Sequence, residues 1–83
     1  KLSTAALETL AIVAYEQPVT RARIEAIRGV NSDRALASLQ ARGLVSEVGR
    51  LETAGRPALF ATTFEFLQQF GLHDLRELPP LGE

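Results

Sequence analysis

The order of short helical patterns and turn residues along this chain is the feature that most limits what it can fold into. Two helix-like segments, residues 18–30 and 32–42, flank a glycine turn, and a hairpin pattern from about residue 44 to 63 follows them. Gly55-Arg56-Pro57 stands in the middle of the hairpin, and an aromatic helix-like segment comes last. This order is typical of a winged helix-turn-helix. We therefore predict a mainly α fold with a small antiparallel β-hairpin wing, which either reads DNA or docks proteins.

The first helix is predicted to begin at a Ser3 or Thr4 cap and to run to about Glu16, because Pro18 disfavours helix in the residue before it. Residues 10–15 are apolar around most of the helix circumference, and such a helix is buried on more than one side. Either the wing and the last helix cover this surface, or a partner docks on it. The predicted core stripe has helical spacing and consists of Leu7, Leu10, Ala11 and Ala14.

The second helix follows an extended Pro18-Val19 segment that can add a short strand to the wing. Thr20 is the predicted cap, and Gly29 suits the left-handed position just past the helix end. Ile24 and Ile27 are expected in the core. Four charged residues are expected to face outward, namely Arg21, Arg23, Glu25 and Arg28.

The third helix is predicted to begin at Asn31 or Ser32, with Asp33 in its first turn near the positive end of the helix dipole. Gly43 is expected to close it. Its predicted buried stripe is Ala35, Leu36 and Leu39.

Two strands are predicted in the hairpin, and Gly49, Gly55 and Pro57 mark its turn region. The turn role of Gly55 and Pro57, like that of Gly29, explains these residues without a ligand. The first strand is expected to use Leu44, Val45, Val48 and Leu51, and the second Leu59, Phe60 and Ala61.

The last helix begins, on this pattern, at a capping box formed by Thr62 and Glu65, and Gly71 ends it. Phe64 and Phe66 lie about 200° apart on a helix, so we expect one to face the hairpin and the other to face solvent or a partner. The predicted apolar face consists of Phe66, Leu67 and Phe70.

The length of 83 residues suits one domain, which we place at residues 1–78 with a proline-rich tail at 79–83. The chain contains no Met and starts at Lys1, so we expect a domain of a longer protein. It also contains no Cys, which excludes disulfides and Cys-based zinc sites. No apolar run is long enough to span a membrane, and the sequence fits a cytoplasmic protein.

The charge balance disfavours a self-sufficient DNA-binding domain. Nine Lys and Arg stand against ten Asp and Glu, a formal net charge of -1, whereas phosphate binding usually requires a basic domain. Eight of the nine cations are arginines, which suit fixed pairing with carboxylates.

Enzyme chemistry finds little support in the sequence. His73 is a lone histidine after a helix end, and metal sites need several clustered ligands. No glycine-rich phosphate loop and no evident nucleophile with its base are present. We expect no catalytic residues, no cofactor and no metal.

The alternative function is DNA binding, as in a transcription regulator. The third helix would then enter the major groove, where Arg34 and Gln40 can contact bases. Arg50 and Arg56 on the wing can hold phosphates. Asp33 and the alanines of that helix face argue against this hypothesis.

Three stretches in order, residues 7–21, 27–32 and 55–63, resemble the second winged-helix domain of the ScpB family of segregation and condensation proteins. Phe66-Leu67, Phe70-Gly71-Leu72 and Leu78-Pro79 continue the resemblance, which covers about residues 2–81. Phe60 stands where the family often has Tyr.

The resemblance implies a non-enzymatic subunit of the bacterial SMC–ScpA–ScpB condensin complex, in the cytoplasm and associated with the nucleoid. The domain would dock the kleisin ScpA, and through it SMC, in chromosome condensation and segregation. The full-length protein would form a homodimer, with weak or indirect DNA contact and no membrane contact. On this hypothesis the apolar contacts to ScpA are Tyr15, Phe64, Phe70, Leu72 and Leu75, and Arg34 and Arg42 pair with acidic residues.

Overall fold

A computed structural model describes residues 2–71, which form four helices and a three-stranded sheet. The predicted winged helix-turn-helix is confirmed. The tail boundary at residue 78 lies outside the described residues. The elements are α1 (Thr4–Glu16), β1 (Val19–Thr20), α2 (Arg21–Arg28), α3 (Asp33–Ala41), β2 (Val45–Arg50), β3 (Ala58–Thr62) and α4 (Phe64–Gln69).

Side-chain caps fix where the first two helices begin. The Ser3 hydroxyl accepts a hydrogen bond from the Ala6 N–H at 3.1 Å, and the Thr20 hydroxyl accepts one from the Arg23 N–H at 3.2 Å. Each cap satisfies a backbone donor that the first helical turn leaves unpaired. Gly29 closes α2 with a φ of 79°, the left-handed conformation predicted for it.

Asn31 and Ser32, the two residues predicted as alternative caps of α3, both contribute to its start. Ser32 stands at the cap position but makes no side-chain cap bond, whereas the side-chain oxygen Oδ1 of Asn31 accepts a hydrogen bond from the Asp33 N–H at 3.0 Å. The Ser32 N–H instead donates to the Glu25 carboxylate at 2.8 Å. The turn between the two helices is therefore tied to α2 as well as to α3.

The sheet joins the segment before α2 to the wing, in the antiparallel order β1, β3, β2. Val19 lies opposite Phe60, and Val45 lies opposite Thr62. The predicted addition of a short strand at Val19 is thus confirmed. The register between β2 and β3 shifts at Glu47–Gly49, which leaves Val48 exposed.

The hydrophobic core of residues 2–71 lies between α1, α2, α3 and the sheet. α1 packs against α2, α3 and β3. The wing therefore covers part of the broad apolar surface of α1, as expected if the domain itself buries that surface. Phe66 brings α4 into the same core. The largest hydrophobic side chains with almost no exposure are Phe66, Ile24, Leu39, Leu44 and Val13.

Three predicted side-chain orientations are wrong. Leu7 and Ile27 were expected in the core and are exposed, and Arg28 was expected to face outward and is largely buried. Helical periodicity identifies the apolar side of each helix but not which of its edges a neighbouring helix covers. In α1 the buried positions are Ala6, Thr9, Leu10, Ile12, Val13 and Ala14, and in α2 the one fully buried residue is Ile24.

The predicted cap of α4 is one residue off. Thr62 is the last residue of β3, where its N–H and hydroxyl both donate to the Gln17 side-chain carbonyl oxygen at 2.9 and 3.2 Å. Thr63 is the cap, and its hydroxyl accepts from the Phe66 N–H at 3.2 Å. The same hydroxyl donates to the Gly43 carbonyl at 2.6 Å, so one side chain ties α4 to the end of α3.

Candidate functional site

An apolar stripe on α1 remains uncovered by the described part of the chain. Leu7 is 47% exposed, Ala11 is half-buried and Tyr15 is exposed. Residues four apart lie nearly above one another on a helix, so these three side chains form one edge. Leu7 and Tyr15 are about 12 Å apart along the axis.

A groove lies at the Leu7 end of this stripe, where α1, α3 and α4 meet. Its volume is about 240 Å³, and we call it the Phe70 groove. The residues that line it are Leu2, Leu7, Arg42, Gln69 and Phe70.

The position of Phe70 follows from the way α4 is anchored. Phe66, four residues earlier, is buried in the core, and its ring centroid lies 5.2 Å from that of Phe70, with the planes tilted by 42°. Such a tilted pair is a favourable aromatic geometry. Phe70 is nevertheless 41% exposed, so the described residues leave part of its ring uncovered.

The structure brings together some of the predicted partner-binding residues. Arg42 and Phe70 line the same groove, next to Leu7, which the sequence reasoning placed in the core. Tyr15 stands at the opposite end of the α1 stripe. Phe64 is 73% exposed, which confirms that one of Phe64 and Phe66 faces away from the core. Leu72 and Leu75 lie outside the described residues.

The residues predicted for DNA contact do not form a uniformly cationic surface. Arg34 and Gln40 are exposed on α3. On the wing, Arg50 pairs with Glu47 at 3.1 Å, and Arg56 pairs with Glu52 at 3.0 Å. These carboxylates compete with phosphate for the wing arginines, and Asp33 at the start of α3 is itself paired with Arg21.

Arg28 is a polar residue whose position the sequence reasoning missed. Its side chain is only 10% exposed; Nη2 lies 3.2 Å from the Glu8 carboxylate, and Nη1 donates to the Ser32 hydroxyl at 3.0 Å. It therefore links α1, α2 and the start of α3. The sequence gives only a weak signal for the burial of Arg28, because only the packing of α1 on α2 brings Glu8 within reach of its guanidinium group.

Neither a metal centre nor a membrane span is found in the part of the chain that the structure describes. Residues 2–71 contain no cluster of three or more His, Cys, Asp or Glu side chains placed to hold a metal ion. No helix among them combines the length and the apolar character needed to cross a bilayer. His73 lies outside this range.

The sequence matches, over residues 1–81, the profile of the family described as segregation and condensation complex subunit ScpB. The chain belongs to the ScpB family. This membership confirms the resemblance found in the sequence and agrees with the observed winged-helix fold.

Curated members of the ScpB family are close relatives of the chain. Segregation and condensation protein B of Geobacillus thermodenitrificans is 66% identical over 82 residues, which are 99% of this chain and 39% of that protein. The Moorella thermoacetica protein of the same name is 65% identical over 82 residues, 42% of its length. The chain therefore spans about two fifths of the length of these relatives.

Solved structures show the same fold. The crystal structure of ScpB from Mycobacterium tuberculosis superposes with a TM-score of 0.81 and 57% identity, over 87% of this chain and 44% of that one. A conserved hypothetical protein from Chlorobium tepidum gives a TM-score of 0.78 and 46% identity, over 82% of this chain and 42% of the other.

Proposed function

We propose that this domain is a non-enzymatic docking module of the SMC–ScpA–ScpB complex, acting in chromosome condensation and segregation. Its partner is the kleisin ScpA, which connects it to SMC. The names of its relatives, segregation and condensation protein B, support this role. The proposal places the full-length protein, as a homodimer, in the cytoplasm and at the nucleoid.

One observation carries the proposal, namely the Phe70 groove. It combines two exposed apolar side chains, Leu7 and Phe70, with the cationic Arg42 at its border. Apolar contact area flanked by a charged rim is the composition that protein–protein interfaces favour. We assign the apolar contacts with ScpA to Phe70 and Leu7 first, and then to Tyr15, Phe64, Leu72 and Leu75.

The distribution of charge supports protein docking over DNA reading. Arg50 and Arg56 of the wing are each paired with a neighbouring carboxylate, as is Arg23 with Glu16 at 3.2 Å. DNA affinity rests mainly on cations that neutralise phosphates, and pairing within the protein weakens that contribution. DNA contact is therefore expected to be weak or indirect.

The contribution of Phe70 to docking can be estimated from its exposure. A phenylalanine side chain that is 41% exposed offers about 80 Å² to a partner, taking about 200 Å² for a whole ring. At about 25 cal/mol per Å², burying this area is worth about 2 kcal/mol. Replacing Phe70 by alanine should therefore weaken binding about thirtyfold.

The test is isothermal titration calorimetry of the chain with a purified central segment of ScpA, comparing Phe70→Ala with Val48→Ala. Val48 is also exposed but lies on the wing, away from the Phe70 groove, so its variant should bind like the unaltered chain. Leu7→Ala probes the opposite wall, in case loss of the Phe66–Phe70 ring contact disturbs α4. Equal affinity of all three variants and the unaltered chain, in folded proteins, would contradict the assignment.

A further inference from the structure

The side of α3 that faces the start of α1 carries two arginines at a defined distance. Arg34, Ser38 and Arg42 are spaced four residues apart, so they follow one edge of the helix. Arg34 and Arg42 are separated by eight residues, about 12 Å along the axis. Arg42 belongs to the Phe70 groove, and Arg34 belongs to a second groove.

This second groove, which we call the Arg34 groove, lies between the beginnings of α1 and α3 and has a volume of about 370 Å³. Its lining includes two guanidinium groups and no carboxylate from the described part of the chain. The polar side chains that line it are Ser3, Arg28, Asn31, Arg34 and Ser38.

Hydrogen-bond donors in the Arg34 groove exceed the acceptors that surround them. Arg34 is exposed and forms no ion pair with any residue in 2–71, and no hydrogen bond of the Ser38 hydroxyl is present in that range. Arg28 uses one N–H on each of its three nitrogens for Glu8 and Ser32, which leaves two of its five N–H groups for another acceptor. The groove is therefore suited to an anionic acceptor.

We infer that the Arg34 groove binds a carboxylate of the same partner segment whose apolar side chain occupies the Phe70 groove. This inference rests on the proposed function, because it assigns both grooves to one docked polypeptide. The distance of about 12 Å between Arg34 and Arg42 predicts the spacing in the partner. An acidic residue should lie about eight positions from an apolar one in a helical segment, or about four positions away in an extended one.

A protein carboxylate suits this place better than a DNA phosphate. Three of the five residues that line the neighbouring Phe70 groove are apolar, and a duplex presents a continuous row of charges rather than an apolar side chain beside a single anion. Arg28 is also held back in its bonds to Glu8 and Ser32, so it can complete a pocket but cannot reach out to a phosphate backbone. A planar guanidinium and a carboxylate match in geometry.

The test uses the 83-residue chain and the purified central segment of ScpA in calorimetry. Arg34→Gln removes the charge at an exposed site and should weaken binding roughly tenfold. Arg34→Lys should recover part of this loss. Arg23→Gln is the matched control, because Arg23 is also exposed and lies on α2 outside both grooves; its affinity should equal that of the unaltered chain.

A charge exchange then identifies the acidic residue of the partner. Each Asp or Glu of the ScpA segment is changed to Lys in turn and titrated against Arg34→Glu, and one of these pairs should recover the affinity lost in the single variants. That acidic residue should lie at the predicted spacing from an apolar residue of the ScpA segment. Truncating this apolar side chain should not further lower the affinity for the Phe70→Ala variant.

The outcomes separate the inference from the proposed function. No binding of the ScpA segment to the unaltered chain would overturn both. Binding of the unaltered chain with equal affinities for Arg34→Gln and Arg23→Gln would overturn the inference and leave the docking role standing. Loss of duplex DNA binding in Arg34→Gln with ScpA affinity unchanged would also overturn it.

Discussion

The Thr63 side chain offers a sharp test of how α4 is held in place, because one hydroxyl makes two bonds. It accepts from the Phe66 N–H at 3.2 Å and donates to the Gly43 carbonyl at 2.6 Å. Thr63→Val keeps the shape of the side chain and removes both bonds. The cap is worth about 1 kcal/mol. Loss of the second bond leaves the half-buried Gly43 carbonyl without this donor and costs about 1 kcal/mol more.

The expected loss of stability in Thr63→Val is therefore about 2 kcal/mol. For a domain of this size, a change of 1 kcal/mol shifts the melting temperature by about 4–8 °C, so we expect a decrease of roughly 10 °C. The assays are thermal and urea unfolding followed by circular dichroism. Hydrogen exchange should also show faster exchange at the Phe66 amide, which loses the Thr63 hydroxyl as an acceptor and keeps only the Thr63 carbonyl at 3.1 Å.

Thr63→Ser is the matched control, because serine retains the hydroxyl that makes both bonds. It should unfold within about 0.5 kcal/mol of the unaltered chain. Thr62→Val tests the residue that the sequence pattern favoured as cap, and it should leave exchange at Phe66 unchanged. If Thr63→Val were as stable as Thr63→Ser, the anchoring of α4 described above would be refuted.

Two further stability predictions compare residues that look alike in sequence. Ile24→Ala opens a cavity in the core and should lower the free energy of unfolding by about 3 kcal/mol. Ile27→Ala, at a position that is 41% exposed, should lower it by about 1 kcal/mol or less. Equal losses in urea unfolding would contradict the observed orientation of α2, in which Ile24 faces the core and Ile27 does not. Gly29→Ala should cost about 1 kcal/mol because φ is 79°, whereas Gly49→Ala, which meets no atom within 4 Å and has no positive φ, should be close to neutral in the same assay. A neutral Gly29→Ala would show that this residue does not need the left-handed conformation.

The fold was predictable because its signals are local. Thr20 followed by a helical pattern, and Gly29 after it, define α2 without reference to the rest of the chain. The hydrophobic stripe of α3 was also assigned correctly, since Ala35, Leu36 and Leu39 are the buried residues of that helix. Elements and their ends follow from caps and periodicity, which act within a few residues.

The side-chain errors arose where two neighbours compete for a helix face. Leu7 and Leu10 both have helical spacing, but only Leu10 points between α2, α3 and the sheet. Arg28 is buried because Glu8 of α1 and the Ser32 hydroxyl meet its guanidinium, and neither contact exists until the helices have packed. Periodicity carries no information on such contacts between distant residues.

The candidate site was only partly accessible from sequence for the same reason. Phe70 and Arg42 were singled out individually, but their common groove depends on α4 folding back over the end of α3. That return is set by the Thr63–Gly43 bond across the hairpin, which links residues 20 positions apart. Arg34 was also chosen in advance, while the groove that it lines requires α1 beside it.

The central claim is that this domain docks a protein rather than reads DNA, and parallel titrations test it most directly. The chain is titrated by calorimetry with the ScpA central segment and with a DNA duplex, each at two salt concentrations. The account predicts binding to ScpA and weak or no binding to the duplex at either concentration. Absence of ScpA binding, together with duplex binding that weakens steeply as salt rises, would contradict it and place the site on α3 and the wing arginines.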